Sequence, residues 1–314
     1  MADPLARSGT DTPERNAALR ARQRAESLSS RLPPLLVAAE RVASTVAQGV
    51  HGRRRVGTGE TFWQFRRYEQ GDMASMIDWR QSAKSQRVFV RENEWEAAQS
   101  VWLWVDRSAS MDYASAGGLP TKAGRARLLL LALAVLLVRG GERVALLGSG
   151  EPPGSNAFTL ERLAVALAGD KGGGGKGGGT GEADLPPVVP LPRYAQAVLV
   201  GDLLAPLDDI RRTVTTLTGR GLRGHLLQVL DPAEETLPFD GRVEFAGLEG
   251  EDDLLVPRVD AVRDAYLERL RAQHDGLLDI ARRTGWSFAT HRTDRPPQTA
   301  LLALHAAVSG QPTG

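Results

Sequence analysis

Cysteine is absent from this chain of 314 residues. Its absence removes disulfides, thiolate metal sites and cysteine nucleophiles together, and it suits a reducing cytoplasm, where we expect the protein. Histidine is scarce: His51, His225, His274, His291 and His305 are the full set. They match neither the spacing of a zinc site nor a Ser/His/Asp order, so each is read as structural. No sign of charge dominates, because 39 Lys and Arg stand against 38 Asp and Glu. Nucleic acid is therefore not an expected partner, and basic clusters such as Arg53, Arg54 and Arg55 read as solvated faces. Long apolar runs are lacking too. The longest, Leu128 to Val138, is too short to cross a bilayer and reads as a buried helix, so no membrane span is expected. The amino terminus, with Asp3 and Arg7 among polar residues, lacks the apolar centre of a secretory signal, and export is not expected. Oxygen chemistry is what remains.

What is present divides the chain into three stretches. Residues 1–30 carry Arg, Glu, Ser and Gln without a core-forming pattern and suggest a mobile or partly helical tail. Residues 31–99 read as a small α+β unit. Pro33 and Pro34 precede Leu35, Ala38, Ala39, Val42 and Val46 at helical spacing, with Gly49 as a stop. Alternating segments at Thr61–Tyr68 and Arg87–Glu92 follow, as extended strands would. Residues 100–310 then alternate strand with helix. Short apolar runs occupy Val101–Val105, Arg143–Leu147, Ala197–Gly201, His225–Leu230 and Trp286–Thr290. Helical patterns occupy Lys122–Val138, Leu160–Ala168, Leu207–Leu217, Val259–Arg283 and Thr299–Val308. This alternation predicts an α/β fold, a doubly wound and mostly parallel sheet, because parallel neighbours need a crossover helix. Two interruptions stand out: a Gly- and Lys-rich loop at 171–181, and an acidic, turn-rich insertion at 231–257 with one possible strand, Arg242–Ala246.

The run Val101-Trp-Leu-Trp-Val105 ends on Asp106, Ser108 and Ser110, three oxygen donors at alternating positions. A parallel strand opens at its carboxyl end into the crevice where doubly wound sheets place ligands. A carboxylate with two hydroxyls is a hard donor set, suited to Mg²⁺. The run Ala197–Gly201 delivers Asp202 at the equivalent end of another strand, and Thr180, at the end of the Gly-rich loop, could add a hydroxyl. The plainer alternative is that Asp106, Ser108 and Ser110 satisfy backbone donors at a strand-to-helix turn and that Asp202 caps the helix after it.

At these residues the chain resembles a known family. Asp106-Arg-Ser108-Ala-Ser110, a central helix, a threonine loop and a strand ending in Gly201-Asp202 look like the metal-ion-dependent adhesion site of von Willebrand factor A domains. The block before them is more specific. Phe65-Arg-Arg67-Tyr68-Glu-Gln-Gly71-Asp72, Ile77-Asp78-Trp79-Arg-Gln-Ser82-Ala83-Lys84 and Val90-Arg91-Glu92 resemble the bacterial family called domain of unknown function fifty-eight. The resemblance runs over roughly residues 35 to 308. It implies a von Willebrand factor A-like fold and a Mg²⁺ site with Asp106, Ser108 and Ser110 in the first loop, Thr180 in the second and Asp202 in the third. It also implies a non-enzymatic role in which the metal's open position takes a carboxylate from a protein partner, with a MoxR-type AAA+ ATPase as the partner suggested. One departure concerns Thr180: Pro186, Pro187, Pro190 and Pro192 follow where the family pattern runs into a helix.

Other readings compete with these. A metal-dependent hydrolase would use Asp106 and Asp202 but lacks a general base placed by sequence. A structural adaptor would use the fold without metal. The Gly-rich loop is no phosphate loop, since position 170 is Asp170 and Gly177 follows Lys176 where Ser or Thr belongs. The block Trp63, Phe65, Tyr68, Asp72, Asp78 and Trp79 is read as packing between the small unit and the sheet, with Asp72 and Asp78 as turn and cap residues; a docking surface, with Arg67 and Arg91 as ion-pair partners, is the alternative.

Overall fold

A computed structural model describes residues 34–50, 61–68, 77–84, 87–94, 100–168, 185–192, 194–247 and 252–310. The tail at 1–30, the Gly-rich loop at 171–181 with Thr180, and Asp72 lie outside the described residues. In chain order the elements are α1 (Pro34–Val50), β1 (Thr61–Arg67), α2 (Trp79–Ser82), β2 (Phe89–Glu94), β3 (Ser100–Val105), α3 (Lys122–Arg139), β4 (Arg143–Leu146) and α4 (Ala157–Ala168). They continue with β5 (Gln196–Gly201), α5 (Leu207–Gly219), β6 (Arg223–Leu230), α6 (Pro232–Thr236), β7 (Val243–Phe245), β8 (Leu254–Val256), α7 (Val259–Thr284), β9 (Ser287–Arg292) and α8 (Pro297–Val308).

Five strands form one sheet in the order β4-β3-β5-β6-β9, every neighbouring pair parallel. The fold is therefore α/β around a parallel sheet, as the strand-helix alternation predicts. Each strand shows one set of side chains to each face, since successive residues point in opposite directions. Val101, Leu103, Val105, Val198, Val200, Leu227 and Val229 join α1, α3, α4 and α8 in one core. Trp104, Ala197, Leu199 and Leu226 join α5 and α7 in the other. The helix α3 is apolar nearly all round because it lies between the sheet and α1, α4 and α8, with Leu129 through Ala134 all at 0 % exposure.

Counting only these five strands from the first, the spatial order is 2-1-3-4-5. The chain leaves β3 toward β4 on one side and returns to β5 on the other, so the strand order reverses between β3 and β5. At such a reversal the loops part and leave a crevice beyond the carboxyl ends. Asp106 is the first residue after β3 and Asp202 the first after β5.

The smaller elements lie around this core. The strands β1 and β2 pair antiparallel, and β7 pairs antiparallel with β8 inside the 231–257 insertion. The helix α1 packs on α3 and α8, burying Leu36, Ala39, Ala43 and Val46 in the sheet's own core. The aromatic block departs from the expected packing at two members: Tyr68 and Trp79 are exposed, Trp79 at 67 %. The short helix α2 is instead tied down by Ser82, whose Oγ donates to the Asp78 carbonyl (2.7 Å) and accepts the Phe89 N–H (2.9 Å). Among the described residues no helix is long and apolar enough to cross a membrane.

Candidate functional site

The carboxyl ends of β3 and β5 meet because the two strands are hydrogen-bonded neighbours in register. Val105 stands opposite Val200, and the Asp106 N–H donates to the Val200 carbonyl at 2.8 Å. That pairing sets the Asp106 side chain against the backbone of Gly201. A β-carbon at position 201 would lie 2.6 Å from the Asp106 Cβ and 2.8 Å from its Oδ2, so only glycine fits.

Asp106 is buried, and its Oδ1 accepts the Ser108 N–H at 2.8 Å, folding the loop back on the strand end. Ser108 is the N-cap of the 3-10 turn Ala109–Asp112, yet its hydroxyl makes no capping bond. It lies 3.0 Å from the Ser110 hydroxyl, and Ser110 Oγ donates to Asp202 Oδ2 at 2.6 Å. The alternative that these side chains satisfy backbone donors thus holds for Asp106 and fails for the Ser108 hydroxyl. The helix-capping role fails for Asp202 also, because α5 starts only at Leu207 with Pro206 as its N-cap.

Asp202 is held on every side. Its Oδ1 accepts the Leu204 N–H (3.3 Å) and its carbonyl accepts Gln228 Nε2 (2.9 Å). The next residue, Leu203, has φ of +53° although it is a buried leucine, a conformation disfavoured for a side chain of that size. Gln273 holds this turn by donating Nε2 to the carbonyls of Leu203 (2.8 Å) and Ala205 (3.0 Å). Strain sustained by surrounding contacts is a common mark of a functional loop.

A cation already stands beside these oxygens. Lys122, the first residue of α3, is fully buried, and its Nζ donates to Asp202 Oδ2 (2.9 Å) and Glu234 Oε1 (2.5 Å). Burial pulls the ammonium toward neutrality, but Asp202 and Glu234 together outweigh it and raise its pKa above the usual lysine value. Burial likewise raises the Glu234 carboxyl, with Lys122 pulling the other way. Glu234 belongs to a capping box at the start of α6: Asp231 accepts the Ala233 N–H, and Glu234 Oε2 accepts the Asp231 N–H. Asp231, at 0 % exposure, also accepts the Ser115 N–H at 3.0 Å, which ties the loop after β6 to the loop after β3. The negative surroundings reach two phenols. Burial, then Asp231 and Glu234, raise Tyr113, while burial, then Glu234, push Tyr266 up to about 12.

Four of the five expected ligand residues therefore gather at one crevice: Asp106, Ser108, Ser110 and Asp202. Among the described residues, no three His, Asp or Glu side chains converge as a metal-holding cluster, so the donor set is two carboxylates and two hydroxyls. The separations of 3.0 Å between Ser108 and Ser110, and 2.6 Å between Ser110 and Asp202, are hydrogen bonds that hold the hydroxyls beside the Asp202 carboxylate. Lys122, Asp231 and Glu234 are the members that sequence reasoning passed over. For Asp231 the signal was available, because the run ending at Leu230 delivers an aspartate just as the runs before Asp106 and Asp202 do. Nothing local marks Lys122, whose partners lie 80 and 112 residues away.

The family model described as "Protein of unknown function DUF58" matches residues 64–276. Uncharacterized proteins of Mycobacterium tuberculosis and Mycobacterium bovis are 25% identical over 288 residues, covering 85% of this chain and 86% of their own length. Among solved structures, the conserved hypothetical protein BatB from Bacteroides thetaiotaomicron matches with 15% identity and a TM-score of 0.40, over 68% of this chain and 98% of its own. An aerotolerance-related membrane protein from Bacteroides fragilis matches with 16% identity and a TM-score of 0.41, over 68% of this chain and 100% of its own.

Proposed function

Because this chain belongs to the DUF58 family, whose name assigns no activity, we propose its function from the crevice itself: a non-enzymatic interaction module that binds a partner's carboxylate through Mg²⁺. Asp106, Ser108, Ser110 and Asp202 would hold the ion, with Thr180 as a further candidate, in the manner of a von Willebrand factor A-type adhesion site. Bound there, the ion supplies a Lewis-acidic position for an incoming oxygen ligand. The observation that carries the reading is the Ser110 hydroxyl on Asp202 Oδ2 at 2.6 Å, which joins loops 92 residues apart at the reversal of strand order between β3 and β5. The residues favour binding over hydrolysis. His225, on the strand beside β5, sits low on the sheet near the strand starts, away from the loops at the carboxyl ends. The partner that the family resemblance suggests is a MoxR-type AAA+ ATPase, met in the cytoplasm and served in the assembly or maturation of protein complexes.

A second reading, a metal-free adaptor, is favoured by one observation: the Lys122 ammonium already supplies a buried positive charge to Asp202. One set of measurements separates the two. Mn²⁺ uptake by the full chain is expected to fall at least about tenfold in Asp106→Ala. Capture of a purified MoxR-type ATPase from the same organism is expected to disappear both with EDTA and in that variant. Capture indifferent to chelation and to Asp106→Ala would leave the adaptor reading in place of the metal-dependent one.

A further inference from the structure

The oxygen that would bind a cation in this crevice is one that Lys122 already uses. Asp202 Oδ2 accepts the Ser110 hydroxyl at 2.6 Å and the Lys122 ammonium at 2.9 Å. Lys122 is delivered there by the chain itself. The Thr121 hydroxyl caps α3 by accepting the Gly124 N–H, and the Lys122 N–H donates to the Tyr113 carbonyl at 3.2 Å, so the helix starts directly beneath the Asp106–Ser110 loop. Its side chain has no exposure to water, so its charge is screened far less than a surface lysine's. Two cations on one carboxylate oxygen repel each other strongly under these conditions.

The ammonium has a second carboxylate to lean on. Glu234 is fixed independently of Asp202: its Oε2 accepts the Asp231 N–H, and its carbonyl accepts the Tyr266 hydroxyl at 2.7 Å. It stays in place whether or not Asp202 remains available to the lysine. The arrangement is thus one ammonium between two carboxylates, of which one belongs to the candidate cation site and the other does not.

We infer that Lys122 is an intramolecular competitor for the cation site, neutralising Asp202 when no divalent ion is bound and yielding it, with its charge retained on Glu234, when one arrives. Lys122 and Glu234 then set the affinity of the site in opposite directions. Lys122 weakens it by occupying Asp202, and Glu234 strengthens it by drawing the ammonium away. Divalent affinity in the free protein is held down. This role rests on reading the crevice as a cation site.

Mn²⁺ binding to the full chain, read from the loss of the free-ion electron paramagnetic resonance signal, tests it in wild type, Lys122→Met, Glu234→Gln and Asp106→Ala. Lys122→Met is expected to bind Mn²⁺ at least about tenfold more tightly than wild type, and Glu234→Gln at least about threefold more weakly. A lysine that only braced the loops would not tighten binding when replaced. Affinity in folded Lys122→Met that equals or falls below wild type overturns the competitor role. If Lys122→Met does not fold, Glu234→Gln decides alone, and unchanged or tighter binding there overturns it. Binding lost in Asp106→Ala but unmoved in the other two sinks the competitor and leaves the cation site standing. Binding equal in wild type and Asp106→Ala, or no uptake by any of the four proteins, sinks both.

Discussion

At the scale of single residues, the crevice depends on one missing side chain. Gly201 lets the Asp106 carboxyl lie against the neighbouring strand, and a β-carbon there would stand 2.6 Å from the Asp106 Cβ. Gly201→Ala is expected to cost about 1–3 kcal/mol through overpacking, since neither the strand pairing nor the buried carboxylate can yield freely. It should also weaken Mn²⁺ binding, because relief comes only from moving Asp106. Urea denaturation and a Mn²⁺ titration on the same preparation check this. A variant with wild-type stability and wild-type affinity would show that the Asp106 position is more pliant than its contacts require.

Among the elements, α3 carries the most weight because it does two things with opposite chemistry. Its body buries leucine and alanine on all sides between the sheet and three helices, and its first residue inserts a charge among carboxylates. A buried helix start is tolerable here because Thr121 caps it and the ammonium meets two carboxylates. Leu133→Ala, at a position with no exposure, is expected to cost about 2–5 kcal/mol, depending on how far its surroundings collapse. Val165→Ala on α4, at 60 % exposure, should change stability by less than about 0.5 kcal/mol. Comparable losses in the two variants by urea denaturation would mean that α3 is not the central layer of the core.

For the molecule as a whole, two buried imidazoles make stability depend on acid. His225 lies between Gln196 Oε1 (2.9 Å) and Ser287 Oγ (2.8 Å) across three parallel strands, and burial lowers its pKa to about 4. His291 falls to about 4 as well, through burial and then Arg125. Both values lie below the unfolded pKa of about 6.5. The native state therefore refuses protons that the unfolded chain accepts between pH 6.5 and 4. The associated stability is complete above pH 6.5 and drains away as the pH falls toward 4, by about 2 kcal/mol per histidine between pH 7 and pH 5. His225→Gln is expected to flatten that slope by roughly half in urea titrations at the two pH values. An unchanged slope would place the acid sensitivity elsewhere.

How much of this was legible depended on the range of the interaction involved. The strands and helices from Ser100 onward follow from periodicity, and Asp106 and Asp202 stand out because each ends an apolar run. These are local signals, set by side-chain spacing along a few turns or pleats, and they are complete before the chain folds. The sequence by itself determined that the sheet is parallel and that aspartates end its strands. Only the tertiary structure decided that β3 and β5 are neighbours at the reversal of strand order, that α1 joins the core of the large sheet, and that Lys122 reaches both Asp202 and Glu234. Those outcomes turn on which elements pack together and on charges finding partners 80 and 112 residues away, and no local period encodes such pairings.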